Sequence, residues 1–321
     1  MKKEDISLFF TYVQSQETAF DYLCHCYQQQ NVADAEAKSY KNANAFMYYA
    51  EHGIRFIEQA MEMDLLLRPV LLFYGASHLF KACLLTKRPD YPESTSILAH
   101  GVSTRKRKKK NYTFMSDEVK TQHKGLFTYI AKHLYNMDTI PFEKIKMEEL
   151  LSLIPEINPL FAYTNEERLV PVGKKDATSM FFPLDLLDSY MLTEHAFVKR
   201  VGKHLPEITA VTVHSGKLNV ELSKPVSDST GPFFQNSKGE IYFPKDRNHF
   251  LPFPETLVHY LVLYNLSMIS RYETEWWGEL LNAKAEIDFP FIKRFLQISA
   301  EKVPLSLGND LVHQFKRSPR K

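Results

Sequence analysis

One segment of the sequence, residues 70–85, is apolar on nearly all of its faces and directly follows Arg68-Pro69. Proline is tolerated in the first turn of a helix, where its missing N–H costs no hydrogen bond. A helix that is hydrophobic all round must be buried in a core or in a membrane. No window contains the roughly 18 uninterrupted apolar residues of a membrane span. The sequence therefore predicts a central, buried helix and no membrane association.

Composition sets the class of protein. The chain has 321 residues, of which 44% are hydrophobic, and only three are cysteines. A chain of this length is expected to form about two domains, and the scarcity of glycine and cysteine excludes collagen-like and disulfide-framework proteins. The apolar stretch at the amino terminus is too short for a signal peptide. We expect a cytoplasmic protein, since three thiols suit a reducing compartment.

Helical periodicity dominates the first half of the chain. Apolar residues recur every three to five positions over 34–63 without a proline, which predicts one long helix. Further helices are predicted at 17–29, 125–134, 147–153, 184–205, 255–281 and 289–301.

The middle of the chain has strand character. Residues 210–222 alternate around a His-Ser-Gly turn, which predicts a hairpin, and 239–243 predicts another short strand. The predicted fold is mainly α with a small β element (α+β), a helical bundle core with an inserted β-hairpin. We expect a helical domain at 1–160 that carries a basic loop at 104–112. A mixed segment at 161–321 is expected to hold the hairpin, near 208–223, and long helices that pack back on the first half.

Positive charge is concentrated in two segments, although the net charge is only +2. Four basic residues fall in the last six positions of the chain, and a basic run is formed by Arg105, Lys106, Arg107, Lys108, Lys109 and Lys110. Such a run is attracted to nucleic acid or to an acidic protein. It is more often a solvated, self-repelling loop, and both interpretations stay open.

Motifs for catalysis or cofactors are absent from the sequence. It contains no P-loop, dinucleotide-binding, zincin or hydrolase-elbow pattern. The sequence Cys24-His25-Cys26 has no second pair of ligands at zinc-finger spacing. We therefore predict no catalytic residue, no metal and no cofactor.

One polar stripe stands out on the apolar helix. Tyr74, His78 and Lys81 lie at i, i+4 and i+7, so they share a face. A buried lysine needs a carboxylate, water or an anionic ligand. Arg68 and His100, which glycine follows, are candidates to complete an anion site. The alternative is that Lys81 extends to the surface and His78 is an ordinary core histidine.

A second polar set interrupts the helix predicted at 255–281. Arg271, Tyr272 and Glu273 lie inside it, followed by both tryptophans of the chain, Trp276 and Trp277. Tryptophan anchors cores and interfaces. Arg271 and Tyr272 are expected to pack towards the Lys81 stripe and to join the same ligand site.

The ordered motifs together resemble those of the YaaC-like family of bacterial proteins. They are Arg68-Pro69 leading into Leu-Leu-Phe-Tyr-Gly, then Lys81-Ala82, then His100-Gly101-Val102-Ser103, and finally Ser270-Arg271-Tyr272-Glu273 with Trp277. The resemblance spans most of the chain. It implies no settled biochemical activity.

The helical first half is also similar to HEPN-type domains, which occur as ribonucleases and as non-catalytic binding modules. The ribonuclease version uses an Arg-x4-6-His pair, and this sequence departs from it. Three residues separate Arg200 from His204, and nine separate Arg68 from His78. The resemblance therefore favours a binding module, although fold-level analogy is weak support for function.

The sequence leads to one main hypothesis and two alternatives. The main one is a non-enzymatic cytoplasmic binding or regulatory protein that recognises a nucleotide or another anionic ligand, or that works with a protein partner or by self-association. The first alternative is a ribonuclease or nucleotide-processing enzyme with His78 or His100 as general base. The second is docking of nucleic acid, RNA included, or of an acidic protein on the basic run.

Overall fold

The computed structural model describes residues 3–105, 112–226 and 231–316. The protein is 57% helical with 14% strand, which confirms the mainly α class with a small β part. The helices are α1 (Lys3–Tyr12), α2 (Gln16–Gln29), α3 (Ala35–Glu62), α4 (Arg68–Lys87), α5 (Leu126–Tyr135), α6 (Met147–Leu151), α7 (Asn158–Ala162), α8 (Asp185–Tyr190), α9 (Glu194–Val201), α10 (Glu255–Tyr272), α11 (Thr274–Ala283) and α12 (Asp288–Lys316). The strands are β1 (Val102–Thr104), β2 (Glu118–Thr121), β3 (Lys144–Lys146), β4 (Leu169–Lys174), β5 (Ser179–Pro183), β6 (Ile208–His214), β7 (Lys217–Leu222), β8 (Phe234–Gln235) and β9 (Glu240–Pro244).

The chain forms two compact units. Unit 1 comprises residues 1–146 and 259–321, and unit 2 comprises residues 147–258. The second unit is therefore an insertion in the sequence of the first. The domain boundary expected near residue 160 stays a prediction. The boundaries between the two compact units lie after residues 146 and 258.

The core of unit 1 is a set of packed helices around α4. Helices α3 and α4 make a long antiparallel pair, and α12 packs on α4 and on α1. Two glycines bring α3 and α4 close together: a Cβ on Gly53 would lie 2.6 Å from Leu79 Cδ2, and one on Gly75 would lie 2.7 Å from Ile57 Cγ1. This close approach places the side chains of α3 directly beside the polar stripe of α4.

Helix α4 has the length and apolar composition of a membrane span, a feature that counting uninterrupted apolar residues does not detect. In the structure, 72% of its most apolar window is buried within the protein. Phe73 and Phe80 are fully buried. The predicted central helix is thus confirmed, with both ends within two residues of the prediction.

Unit 2 contains two small antiparallel sheets, ordered β4–β9–β8 and β5–β7–β6. The predicted hairpin is β6 and β7, and its turn residues Ser215 and Gly216 both have positive φ, at 50° and 71°. This geometry is that of the tight turns that match the twist of a hairpin. Phe182, Phe197 and Phe243 are fully buried in the core of this unit.

Two predicted helices are each two helices in the structure. The helix predicted at 184–205 is broken at Met191, which is left-handed with φ 53°, and α9 restarts where the Thr193 hydroxyl caps the Ala196 N–H at 3.4 Å. The helix predicted at 255–281 is broken at Glu273, with φ −115° and ψ 52°. Apolar periodicity continues through both breaks, so it does not reveal a change in backbone direction.

The last helix is longer than predicted. Helix α12 continues through Pro304 to Lys316, far beyond the predicted end at 301. Proline removes one helical hydrogen bond and crowds the preceding turn. The helix continues because its second half is packed: Leu307 and Leu311 are fully buried, and the Tyr22 hydroxyl donates to the Leu311 carbonyl at 2.8 Å.

The sheet β1–β2–β3 of unit 1 was not predicted. Its strands have three or four residues each, too short for an alternating pattern to stand out.

Candidate functional site

Helix α4 is open to solvent along one line only. Between Pro69 and Thr86 every residue is buried except Val70 and four half-buried positions that follow helical spacing. We call these four the α4 stripe: Leu71, Tyr74, His78 and Lys81. The polar face predicted from the sequence therefore remains accessible, while the rest of the helix forms the core.

His100 lies beside the α4 stripe and its backbone is tightly fixed. The His100 carbonyl accepts hydrogen bonds from the Tyr260 hydroxyl at 2.9 Å and from the Phe127 N–H at 3.1 Å. The next residue, Gly101, has φ +77° and faces Gly125 so closely that a Cβ on Gly125 would lie 2.3 Å from the Gly101 Cα. Only glycine fits such an approach. The fold thus determines where the imidazole of His100 lies.

The imidazole of His100 lies among aromatic rings. Its ring centroid is 5.0 Å from that of Phe73, 6.2 Å from Tyr74 and 5.7 Å from Tyr264. Burial lowers the pKa of His100, and the positive charges of Arg271 and then Lys81 lower it further. The lowered pKa favours the neutral form of the imidazole. The charges of Lys81 and Arg271, which are far apart in the sequence, thus both act on His100, and their convergence on one ligand site stays a prediction.

Lys81 has no counter-charge among the described residues. Its ammonium lies 5.4 Å from the centroid of the Tyr49 ring, and no carboxylate of the described residues is within 4.0 Å of it. Burial lowers its pKa. A half-buried ammonium held only by a cation–π contact keeps hydrogen-bond donors available for an anion.

Arg271 is likewise without a carboxylate among the described residues. Its Nε donates to the Ser267 carbonyl at 2.9 Å, and its guanidinium lies 5.2 Å from the centroid of the Tyr272 ring. These contacts fix the side chain on the last turn of α10. They leave donors of the guanidinium fork without an oxygen acceptor, and this fork suits phosphate and carboxylate.

His78 is enclosed by aromatic side chains of α3. Its ring stacks on Phe56 at 5.6 Å and on Tyr49 at 5.7 Å, with interplanar angles of 8° and 30°. Burial lowers its pKa to about 4, with further lowering by the charges of Lys81 and His52. Its Nδ1 is buried and has no hydrogen-bond partner among the described residues. This histidine is neutral and contributes a flat ring to the site.

Two of the candidates named from the sequence are not part of this cluster. Arg68 donates to the Ala60 carbonyl at 2.9 Å and to the Met63 carbonyl at 2.8 Å, so it satisfies the end of α3. His78 lies ten positions further along the helix, which corresponds to about 15 Å. Tyr272 is 64% exposed and reaches the cluster only through the guanidinium of Arg271.

The tryptophans have a structural role. Trp277 is fully buried, and its indole N–H donates to the Leu66 carbonyl at 3.2 Å, which attaches α11 to the connection between α3 and α4. Trp276 is half-buried against the Tyr112 ring at 4.9 Å.

Two residues beside the candidate site were not predicted from the sequence: Tyr264, which contacts the imidazole of His100, and Tyr49. Tyr260, Tyr264 and Arg271 share a helical face at i, i+4 and i+11, and this spacing was available as a signal. Tyr49 gave no signal for its role, because its contact with Lys81 depends on the crossing of α3 and α4.

The remaining features of the sequence yield no site of this kind. Arg105 is exposed, and the rest of the basic run, 106–110, lies outside the described residues. No group of three His, Cys, Asp or Glu residues in the described ranges is arranged to hold a metal ion. In unit 2 a cavity of about 460 Å³ is lined by Arg168, but this cation is paired with Glu148 and Glu166, both at 2.6 Å.

Comparison with known proteins identifies the family. The model of the YaaC-like protein family matches residues 11–311, which is nearly the whole chain. The chain belongs to the YaaC-like family. No curated protein and no solved structure matches it. The resemblance of the first half to HEPN-type domains gains no support from these comparisons and stays a prediction.

Proposed function

We propose that this protein is a non-enzymatic, cytoplasmic binding protein that recognises a small phosphate-bearing anion through Lys81, His100 and Arg271. One observation carries the proposal: Lys81 and Arg271 are half-buried cations whose charges both act on the fixed imidazole of His100, and neither has a carboxylate within 4.0 Å in the described residues. Removing a charge from water without a partner is costly, so such a cluster favours an anion that completes it.

The chemistry of the three side chains suits a phosphate. The guanidinium of Arg271 offers paired donors, the ammonium of Lys81 offers a compact charge, and a neutral imidazole offers one N–H. Charge-assisted hydrogen bonds of this kind are about twice as strong as neutral ones. We found no nucleophile or metal ligand set beside them in the described residues, and this favours binding over catalysis.

Ligand-induced stabilisation tests the proposal. The melting temperature is measured with inorganic phosphate, pyrophosphate and ribose 5-phosphate, for the wild type and for Lys81→Met and Arg271→Met. The matched control is Lys41→Met, which removes an exposed lysine of α3. We expect concentration-dependent stabilisation of the wild type and the control, and its loss in the two site variants. No stabilisation of the wild type, or equal stabilisation of all variants, would contradict the proposal.

Cleavage of RNA is a second candidate function, favoured by one observation. Burial and the charges of Arg271 and Lys81 lower the pKa of His100, which favours a neutral base that could accept a ribose proton while the cations stabilise the developing charge. The purified protein is incubated with total RNA without divalent ions. Cleavage that is lost in His100→Ala would support an enzyme, and intact RNA would argue for binding alone.

We also propose that the protein works with a partner or by self-association. The observation in support is a group of apolar side chains that are 39–51% exposed at the connection between α3 and α4, namely Met61, Met63, Leu66 and Leu67. Exposed apolar groups of this kind are frequent at interaction sites. Light scattering of the wild type and of Leu66→Ser with Leu67→Ser gives the test, since self-association through this surface would be lost in the variant.

A further inference from the structure

We infer that the anion is the phosphate of a nucleoside monophosphate, whose base lies against the aromatic rings that border Lys81 and His100. This inference rests on the proposed function and adds the chemical class of the ligand. The cations of the anion site explain the binding of a phosphate group and nothing more. The side chains around the site indicate which chemical group is attached to that phosphate.

The surface next to the cations is made of flat rings. Tyr49 lies under the ammonium of Lys81 at 5.4 Å, and Tyr74 lies 6.2 Å from the imidazole of His100. Both tyrosines are half-buried, so each keeps part of its surface open. Aromatic side chains are the usual platforms for nucleobases, because every base has a flat π-face.

The α4 stripe is also longer than a phosphate requires. Lys81 lies seven positions after Tyr74, which corresponds to about 10 Å along the helix axis. His78 lies between them and contributes a ring rather than a charge. A phosphate bound between the Lys81 ammonium and the His100 imidazole leaves the open parts of the Tyr49 and Tyr74 rings for a planar, uncharged group.

Charge on the stripe agrees with a ligand that is anionic at one end only. Among its four residues Lys81 is the one permanent cation, and none is acidic. The imidazole of His78 is neutral above about pH 4, so it does not compete for the phosphate. Its stacking partners Tyr49 and Phe56 are neutral as well. An inorganic anion or a sugar phosphate would leave the open parts of the Tyr49 and Tyr74 rings uncovered.

The experiment compares probes that share the phosphate and differ in the base. Calorimetric affinities are measured for adenosine and guanosine 5′-monophosphates, ribose 5-phosphate and inorganic phosphate. Stacking of one base is expected to strengthen binding about tenfold or more. We therefore expect at least one nucleotide to bind the wild type about tenfold more tightly than ribose 5-phosphate does.

Variants separate the base from the phosphate. Tyr74→Leu is expected to weaken nucleotide binding about tenfold and to leave ribose 5-phosphate unchanged, whereas Tyr74→Phe keeps the ring and should bind as the wild type does. Tyr49→Leu is a second test of the same surface. Tyr40→Leu, which removes a 70% exposed tyrosine of α3, is the control and should change neither affinity.

The possible failures are distinguishable. If ribose 5-phosphate binds as tightly as both nucleotides, and Lys81→Met abolishes its binding, the anion site stands and the nucleoside inference is wrong. If Tyr74→Leu and Tyr49→Leu weaken every probe equally, the rings support the anion site without contacting a base, and the inference is again wrong. If no probe binds the wild type, the proposed function and this inference both fail.

Discussion

The hydroxyl of Tyr260 donates a hydrogen bond to the carbonyl oxygen of His100 at 2.9 Å, across 160 residues of sequence. Tyr260 is fully buried on α10, and its ring packs at 5.3 Å from that of Phe73 on α4. One side chain therefore links the two helices that carry Arg271 and Lys81 to the loop that carries His100. The core itself therefore fixes the His100 loop against the two helices that carry the other groups of the proposed anion site.

Removing this hydroxyl tests how far the core positions the site. Tyr260→Phe is expected to lower the free energy of unfolding by about 1 kcal/mol, because one buried hydrogen bond is removed and a carbonyl is left with one donor fewer. It should also weaken the binding of whichever phosphate probe stabilises the wild type. Urea denaturation and calorimetry measure the two effects. Tyr91→Phe is the control, since that buried hydroxyl has no hydrogen-bond partner among the described residues.

The close approach of Gly101 and Gly125 gives a second prediction. Gly125→Ala is expected to destabilise the protein by about 3 kcal/mol or more, because φ is +133° and the new Cβ would lie 2.3 Å from the Gly101 Cα. Gly278→Ala is the matched control, since its Cβ would meet nothing within 4 Å in the interior of α11. Alanine there should be neutral or stabilise by about 0.5–1 kcal/mol. Equal melting temperatures of the two variants would contradict the claim that the close approach of Gly101 and Gly125 excludes a side chain.

The sequence predicted the parts of the fold that depend on local pattern. An apolar segment after Arg68-Pro69 leads to α4, and a His-Ser-Gly turn between alternating residues leads to the hairpin. Both signals come from neighbouring residues. The breaks at Met191 and Glu273 and the continuation of α12 through Pro304 depend on distant packing, which a periodic pattern does not contain.

The same distinction applies to the candidate site. Tyr74, His78 and Lys81 share a helical face by spacing alone, so the sequence could place them together. Arg68 looked equivalent because it precedes the same helix, yet its donors are occupied by the Ala60 and Met63 carbonyls. That capping role follows from the position of the end of α3, which is a property of the folded backbone.

The basic run carries a prediction of its own. If it docks nucleic acid, replacing Lys108, Lys109 and Lys110 by alanine should weaken binding of a DNA duplex. The slope of log affinity against log salt should also become shallower by about 0.9 for each phosphate that the variant no longer neutralises. Binding is measured by fluorescence anisotropy over a salt series. The control replaces three exposed lysines of unit 2: Lys174, Lys175 and Lys238. An unchanged slope in the first variant would leave the run as a solvated loop.

The pKa of His78 leads to a prediction about acid stability. Burial first, and then the charges of Lys81 and His52, lower this pKa from 6.5 to about 4. Between these two pH values His78 is protonated in the unfolded chain and neutral in the folded protein. The free energy of unfolding therefore falls as the pH falls. The His78→Gln variant should therefore lose less stability than the wild type on acidification from about pH 7 to about pH 5.

Urea denaturation over this pH range measures the difference in slope. The slope of the variant does not vanish, because burial also lowers the pKa of His100, His133, His204 and His249. His123→Gln changes an exposed histidine and serves as the control, which should keep the slope of the wild type. If His78→Gln and the wild type show parallel decreases in stability, His78 does not resist protonation, and the imidazole would carry a charge beside Lys81. A charged imidazole would add a second positive charge to the α4 stripe. The rings beside the phosphate would then not all be neutral.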